Sequence, residues 1–314
     1  MKRKLFWGMG GIGFLLFAGI IGSSFYMLDY SLTPDNGQHN EEASYRQMRT
    51  DYPFLESWVD SLREVSALKD TFIVNSQGVP LHAYYIAAHF PTPRTAVVVH
   101  GYTDNAVRMF MIAYMYHHDL GYNVLLPDLQ YHGRSGGKAI QMGWKDRLDV
   151  MEWTKIADQL FGGNTRMVVH GISMGAATAM MLSGEILPEY INCFVEDCGY
   201  TNVWDQFSKE LKERFGLPAF PLLYTAGWLC DWKYGWNFRE ASALEQVRRC
   251  RLPMLFIHGE KDTYVPTEMV YELYEAKPDP KQLWIVPRAA HAASYKENSS
   301  IYTEKVKTFL DLYN

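Results

Sequence analysis

A serine held between two glycines, in Gly171-Ile172-Ser173-Met174-Gly175, constrains this chain more than any other stretch. Arg166-Met167-Val168-Val169-His170 before it is apolar and β-branched, as a buried strand requires. Ala176 to Leu182 after it is rich in good helix formers. Strand, sharp turn and helix leave a serine on a strained turn with its hydroxyl presented, and the flanking positions must be small for backbone to pass close by. That context turns a loose G-x-S-x-G pattern into a nucleophile elbow. The competing reading is a plain strand–helix turn that happens to carry a small polar residue.

The same alternation runs along most of the chain. Asp70–Val74 and Leu81–Ala87 are predicted strands joined by a turn at Asn75-Ser76-Gln77-Gly78. Thr95–Val99, Tyr122–Asp128, Asn192–Asp197, Met254–Gly259 and Gln282–Val286 read as further strands. Helices are expected near 45–68 with a break at Pro53, and over 107–120 with a stop at Gly121. Others are expected near 145–160, 267–275 and 300–312. Strands alternating with helices predict a mostly parallel sheet covered on both faces. The run 199–249 departs from this pattern. It shows no clear strand, holds four of the nine tryptophans, and reads as a small helical insertion.

At the amino end, Lys2-Arg3-Lys4 precedes an uncharged run from Leu5 to Leu28 with six glycines, closed by Asp29. At about 1.5 Å per residue it is long enough to cross a hydrocarbon core of about 30 Å. A cleaved signal peptide is one reading, with Gly22-Ser23-Ser24 as its cleavage region. The apolar run continues through Phe25-Tyr26-Met27-Leu28 and favours an uncleaved signal anchor; a buried helix of a soluble domain is the third reading. The three cations place the amino end in the cytoplasm and the body outside it. The expected division is therefore 1–29 anchor, 30–69 polar tether and helix, and 70–314 the α/β domain with its insertion at 199–249.

The net charge of −5 and the absence of a basic run beyond the first residues offer nothing to nucleic acid. Cys193 and Cys198 lie about 16 Å apart on one extended strand, too far to bond. Cys230 and Cys250 could pair, though nothing requires it, and free buried thiols are the favoured reading. No spacing of ligand residues suggests a metal.

A serine hydroxyl needs an adjacent base, and that base needs a third group to hold its tautomer. Two residues stand where later strands should end: Asp262 in His258-Gly259-Glu260-Lys261-Asp262, and His291 in Pro287-Arg288-Ala289-Ala290-His291. The order Ser173, Asp262, His291 is one of the orders in which such triads occur. Asp197 and Glu260 are rival acids, and Asp262 could simply cap the helix beginning near Pro266. Asp128, His132 and Arg134 are expected to brace loops. His100 and His170 are expected to be packed at strand ends, and His117-His118 to lie on a helix surface.

From about Asp70 onward the chain resembles an α/β-hydrolase. It is similar to the branch of monoglyceride-lipase-like esterases and serine aminopeptidases, and to bacterial membrane-anchored hydrolases. The resemblance rests on five motifs in order: His100-Gly101-Tyr102-Thr103, Asp128 through His132-Gly133-Arg134-Ser135, the Ser173 elbow, His258 through Asp262 with Val265-Pro266, and the late His291. It implies eight strands, an insertion after the sixth, and an oxyanion hole built from the backbone N–H groups of Met174 and Tyr102. It implies a serine hydrolase acting on a small-molecule ester or acyl substrate, with thioesters and amides as related substrates. No metal or organic cofactor, no nucleic acid and no protein partner is implied; the membrane is engaged through the amino-terminal helix. Trp228, Trp232 and Trp236, four apart, read either as packing of the insertion or as a lid lining an apolar substrate pocket. A peptidase and a catalytically silent hydrolase-like scaffold are the alternative functions.

Overall fold

The computed structural model describes the backbone of residues 2–314 and the side chains from Gly13 onward. Lys2, Arg3, Lys4, Phe6 and Trp7 lie outside the described side chains. The chain divides into two compact units, Met1–Pro34 with Asn202–Ala241, and Asp35–Thr201 with Ser242–Asn314.

The larger unit is an α/β-hydrolase fold. It opens with helices α2 (Glu41–Asp51) and α3 (Leu55–Glu64), following α1 (Lys2–Leu32) of the other unit. The break between α2 and α3 falls at 52–54, beside Pro53. α3 buries Leu55, Trp58, Val59 and Leu62, one apolar stripe at helical spacing. Residues 35–40 are docked, not loose. The Gln38 carbonyl accepts from Gly133 N (3.0 Å) and from Asn105 Nδ2 (3.1 Å).

Strands β1 (Lys69–Val74), β2 (Pro80–Ile86), β3 (Arg94–Val99), β4 (Asn123–Pro127), β5 (Arg166–Ile172), β6 (Ile191–Asp197), β7 (Met254–Gly259) and β8 (Lys281–Val286) form one eight-stranded sheet. Its order is β1-β2-β4-β3-β5-β6-β7-β8. β2 pairs antiparallel with both neighbours, and every pair from β4 to β8 is parallel. β3 to β7 are almost wholly buried, which is why they read as unbroken apolar runs, whereas edge strand β1 alternates between exposed and half-buried.

Helices α4 (Phe110–Tyr114), α5 (Asp146–Leu160), α6 (Met174–Ser183), α9 (Ala243–Val247), α10 (Glu268–Ala276) and α11 (Ser294–Tyr313) belong to this unit. Two helices differ from expectation. The stretch 107–120 is a short 3-10 turn, α4 and a π turn in succession. That rotation turns His117 inward, where its Nε2 meets the Ala87 carbonyl at 3.2 Å, so only His118 of the pair is exposed. α11 begins at Ser294, before the expected 300, with a kink at Asn298.

The smaller unit holds α1, α7 (Val203–Phe215) and α8 (Leu222–Tyr234). Asn202 caps α7 through the Asp205 amide, and α7 and α8 each stop at a left-handed glycine, Gly216 and Gly235. Trp236 and Phe238 are buried, with Phe207 edge-on to Phe238 at 5.0 Å. All four cysteines are free and buried.

Candidate active site

Ser173 sits on the turn between β5 and α6, with φ 57° and ψ −118°. A non-glycine residue there carries on the order of 1–3 kcal/mol of backbone strain. The neighbouring glycines are required by space. A Cβ on Gly171 would run into the Gly175 carbonyl, and one on Gly175 would run into the Val99 carbonyl at the end of β3. The turn is pinned from the next strand, where Ser173 N donates to Asp197 O at 2.8 Å.

Asp262 and His291 follow β7 and β8, so all three residues stand at the carboxyl ends of parallel strands, where ligands of open α/β sheets bind. Ser173 Oγ lies 2.8 Å from His291 Nε2, and His291 Nδ1 lies 2.6 Å from Asp262 Oδ2. Ser173 is 8 % exposed and Asp262 5 %, so the array is shielded but not sealed. The loops bearing the acid and the base are tied together. Lys261 N donates to Ala289 O (2.9 Å), Glu260 N to Val286 O (2.9 Å), and Arg288 N to the Glu260 carboxylate (2.9 Å). Glu260 thus holds the His291 loop in place, and Asp197 accepts from Ser294 Oγ at 3.0 Å. Neither rival acid is the hydrogen-bond partner of His291.

Asp262 is fully used. Its Oδ1 accepts from the Tyr264 and Val265 amides, both at 2.9 Å, an Asx-type turn that fixes the carboxylate plane. Its Oδ2 faces His291 and, at 3.3 Å, His258 Nε2. Burial alone would raise this carboxyl; the bonds and charge of the two histidines overcome that and hold it at about 2.

The role of His258 was not legible in the sequence, where it stood only as part of a motif. It lies at the end of β7, buried, with Nε2 also 2.9 Å from Val265 O. Burial opposes its protonation, but Asp262 and the buried Glu196 outweigh this and raise it. Glu196 itself is pushed up to about 8 by burial, partly countered by His258. The spacing His258-x-x-x-Asp262 was the available signal.

One ligand atom each from Cys198, Asp262 and His291 lie within 4.8 Å of one another. Burial and the nearby carboxylates push the Cys198 thiol up, away from the thiolate a metal requires. Asp262 and His291 are already spent on each other, so the donor set fits a hydrogen-bonded array better than an ion.

Around the serine, His132 Nε2 accepts the Thr103 amide at 3.2 Å, which pins the turn after β3 where Gly101 passes close to Ser173. Met174 opens α6 directly after the serine, where helix amides point outward. Asp128 braces the surrounding loops as expected, accepting from Ala106 N (2.8 Å), Arg134 N (3.0 Å) and His82 Nδ1 (2.7 Å). The three tryptophans are not brought together on one face. Trp228 and Trp232 on α8 are 77 % and 78 % exposed, whereas Trp236 lies beyond the helix end and is fully buried.

The chain matches the prolyl oligopeptidase family (peptidase S9) over residues 108–313, about two thirds of its length. It belongs to that family. The match lies within the superfamily that the motifs resemble. The Bacillus subtilis protein YqkD is 32 % identical over 247 residues, covering 78 % of this chain and 80 % of the relative. Among solved structures, the Pyrococcus furiosus esterase Pf2001 is 25 % identical with a TM-score of 0.65, covering 80 % of this chain and 95 % of the esterase. The esterase Est1E of Butyrivibrio proteoclasticus, with ferulic acid bound, shares the fold at 18 % identity and a TM-score of 0.59.

Proposed function

We propose that this family member is a serine hydrolase cleaving carboxylic esters through Ser173, His291 and Asp262. The observation that carries the reading is the continuous hydrogen-bond chain from Ser173 Oγ through His291 to Asp262. His291 takes the proton as Ser173 Oγ attacks the carbonyl carbon, and Asp262 holds the tautomer that leaves Nε2 free to accept. The amides of Met174 and Tyr102 receive the oxyanion, a contribution worth about 10²–10³ in kcat per donor. His291 then protonates the leaving alkoxide, and water, activated by the same imidazole, releases the acyl group from Ser173. The esterase neighbour Pf2001 supports an ester substrate.

The family match favours a second reading, peptide-bond hydrolysis by the same three residues. A p-nitrophenyl ester series from acetate to palmitate, run beside a peptide-amide panel and Ser173→Ala, separates the two. Ester turnover that peaks at one chain length and vanishes in the variant supports the proposal. Equal turnover in both proteins overturns it, and turnover of amides alone moves the assignment to the peptidase.

The apolar α1, whose segment Gly13–Leu32 is long and apolar enough to span a bilayer, supports a membrane anchor or signal sequence. We read it as an uncleaved anchor, with the catalytic unit outside the cytoplasm because Lys2, Arg3 and Lys4 precede it.

A further inference from the structure

In the smaller unit, α8 carries an exposed aromatic row. Phe220 just before it, then Tyr224, Trp228 and Trp232, are spaced four apart and are 71 %, 46 %, 77 % and 78 % exposed. Large aromatics left in water at this density mark a surface with a partner. What that partner is follows from α1, which packs along α8 inside the same unit. Ser24 Oγ donates to Leu222 O at 3.2 Å, and Lys233 Nζ pairs with Asp29 at 2.9 Å. Tyr30 stacks edge-on with Phe215 at 5.8 Å.

The lengths are informative. α1 has 31 residues, about 46 Å of helix, against a hydrocarbon core of about 30 Å. Lys2, Arg3 and Lys4 take about 4.5 Å of the surplus of roughly 16 Å on the opposite side, so the remaining ~12 Å corresponds to the last eight or so residues of α1. That end is the part built into protein: Ser24, Leu28 and Leu32 are buried, whereas Phe14, Leu15, Leu16 and Phe17 are 63–70 % exposed. The bilayer surface therefore falls near Ser24, at the level where α8 begins. From Ser24 to Asp29 α1 rises about 7.5 Å, the thickness of one headgroup layer. The α8 stretch between these two contacts, Leu222 to Lys233, is longer, about 16 Å of helix. Tyr224 and Trp228 stand about 3 and 9 Å along it and Trp232 about 15 Å, and helical side chains lean back toward the N-terminal end, here toward the bilayer. The charged Asp29–Lys233 pair marks the water side.

We infer that the aromatic face of α8 lies in the headgroup layer of the membrane that α1 enters, as a second, peripheral contact beside the anchor. Tyrosine and tryptophan suit that layer because each joins an apolar ring to a polar handle. The inference rests on reading α1 as an anchor.

The test uses the full chain carrying Trp7→Phe, reconstituted into phosphatidylcholine vesicles with or without lipids brominated near the headgroup end of the acyl chain. Trp228 and Trp232 are two of the eight remaining tryptophans, so bromine quenching should remove about a quarter of the emission. It should disappear in the Trp228→Ser, Trp232→Ser double variant, which still floats with the vesicles and, the two side chains being exposed, still folds. Protein that floats but shows no quenching, or quenching that survives in the double variant, overturns the inference while leaving the anchor intact; a second copy covering the face gives the first of these results. Protein that stays in the aqueous fraction removes the anchor and the inference together.

Discussion

Replacing Asp262 by Asn separates a working triad from a mere cluster of polar residues. The structure dictates how the new amide must sit. Oδ1 accepts from two backbone amides, Tyr264 N and Val265 N, and these donors demand an oxygen. The asparagine oxygen is held there, and its NH₂ group is forced to the Oδ2 position, 2.6 Å from His291 Nδ1. A donor now faces Nδ1, so His291 must carry its proton on Nε2. It then no longer accepts from Ser173 Oγ, which lies 2.8 Å away. The variant also loses the negative charge that would stabilise the imidazolium. Wrong-tautomer substitutions of this kind cost about 10⁴ in kcat in a well-studied serine protease. We expect a fall of about 10³–10⁴ here, or roughly 4–5.5 kcal/mol in the barrier. The assay is p-nitrophenyl ester turnover, with the rate of fluorophosphonate labelling of Ser173 as a readout independent of substrate choice. Asp197→Asn is the control, since that carboxylate bonds Ser294, and it should lower kcat less than about tenfold. An Asp262→Asn enzyme with more than about a tenth of the parent kcat, or an equal loss in Asp197→Asn, would refute the assignment.

Three further outcomes follow from packing and charge. Gly175→Ala, which drives a Cβ into the Val99 carbonyl, should cost more than about 3 kcal/mol in denaturant unfolding or yield no soluble protein. Trp236→Ala should cost about 3–5 kcal/mol in the unit that contains it, whereas Trp228→Ala, at an exposed site, should stay within about 0.5 kcal/mol by the same unfolding assay. Glu196, pushed up to about 8 from an ordinary value of 4.5, holds its proton in the folded state while the unfolded chain gives it up. Its contribution to stability is therefore complete below about pH 4.5 and is lost as pH rises towards 8. Glu196→Gln should remove that loss, so the Tm of the variant relative to the parent should climb between those two values.

The sequence by itself determined the elements whose signal is local. β3 to β7 are buried on both faces, so each reads as an apolar run whatever its neighbours. The elbow at Ser173 needs small residues on both sides, and Gly171 and Gly175 state that need directly. Asp262 and His291 were legible because strand ends in a parallel sheet converge on one edge, so a position after a strand is also a position in space. The tertiary structure decided whatever depends on partners distant in the chain. His117 turned inward because a π turn shifted its phase and the Ala87 carbonyl was there to meet it, and periodicity contains neither fact. His258 and Glu196 became part of the acid's surroundings only when β6 and β7 paired. Trp236 separated from Trp228 and Trp232 because α8 ended at Gly235, which breaks a spacing that on paper continues. α1 showed only its length and apolarity in the sequence. That its last turns belong to a folded unit with α8 is a matter of packing between segments some two hundred residues apart.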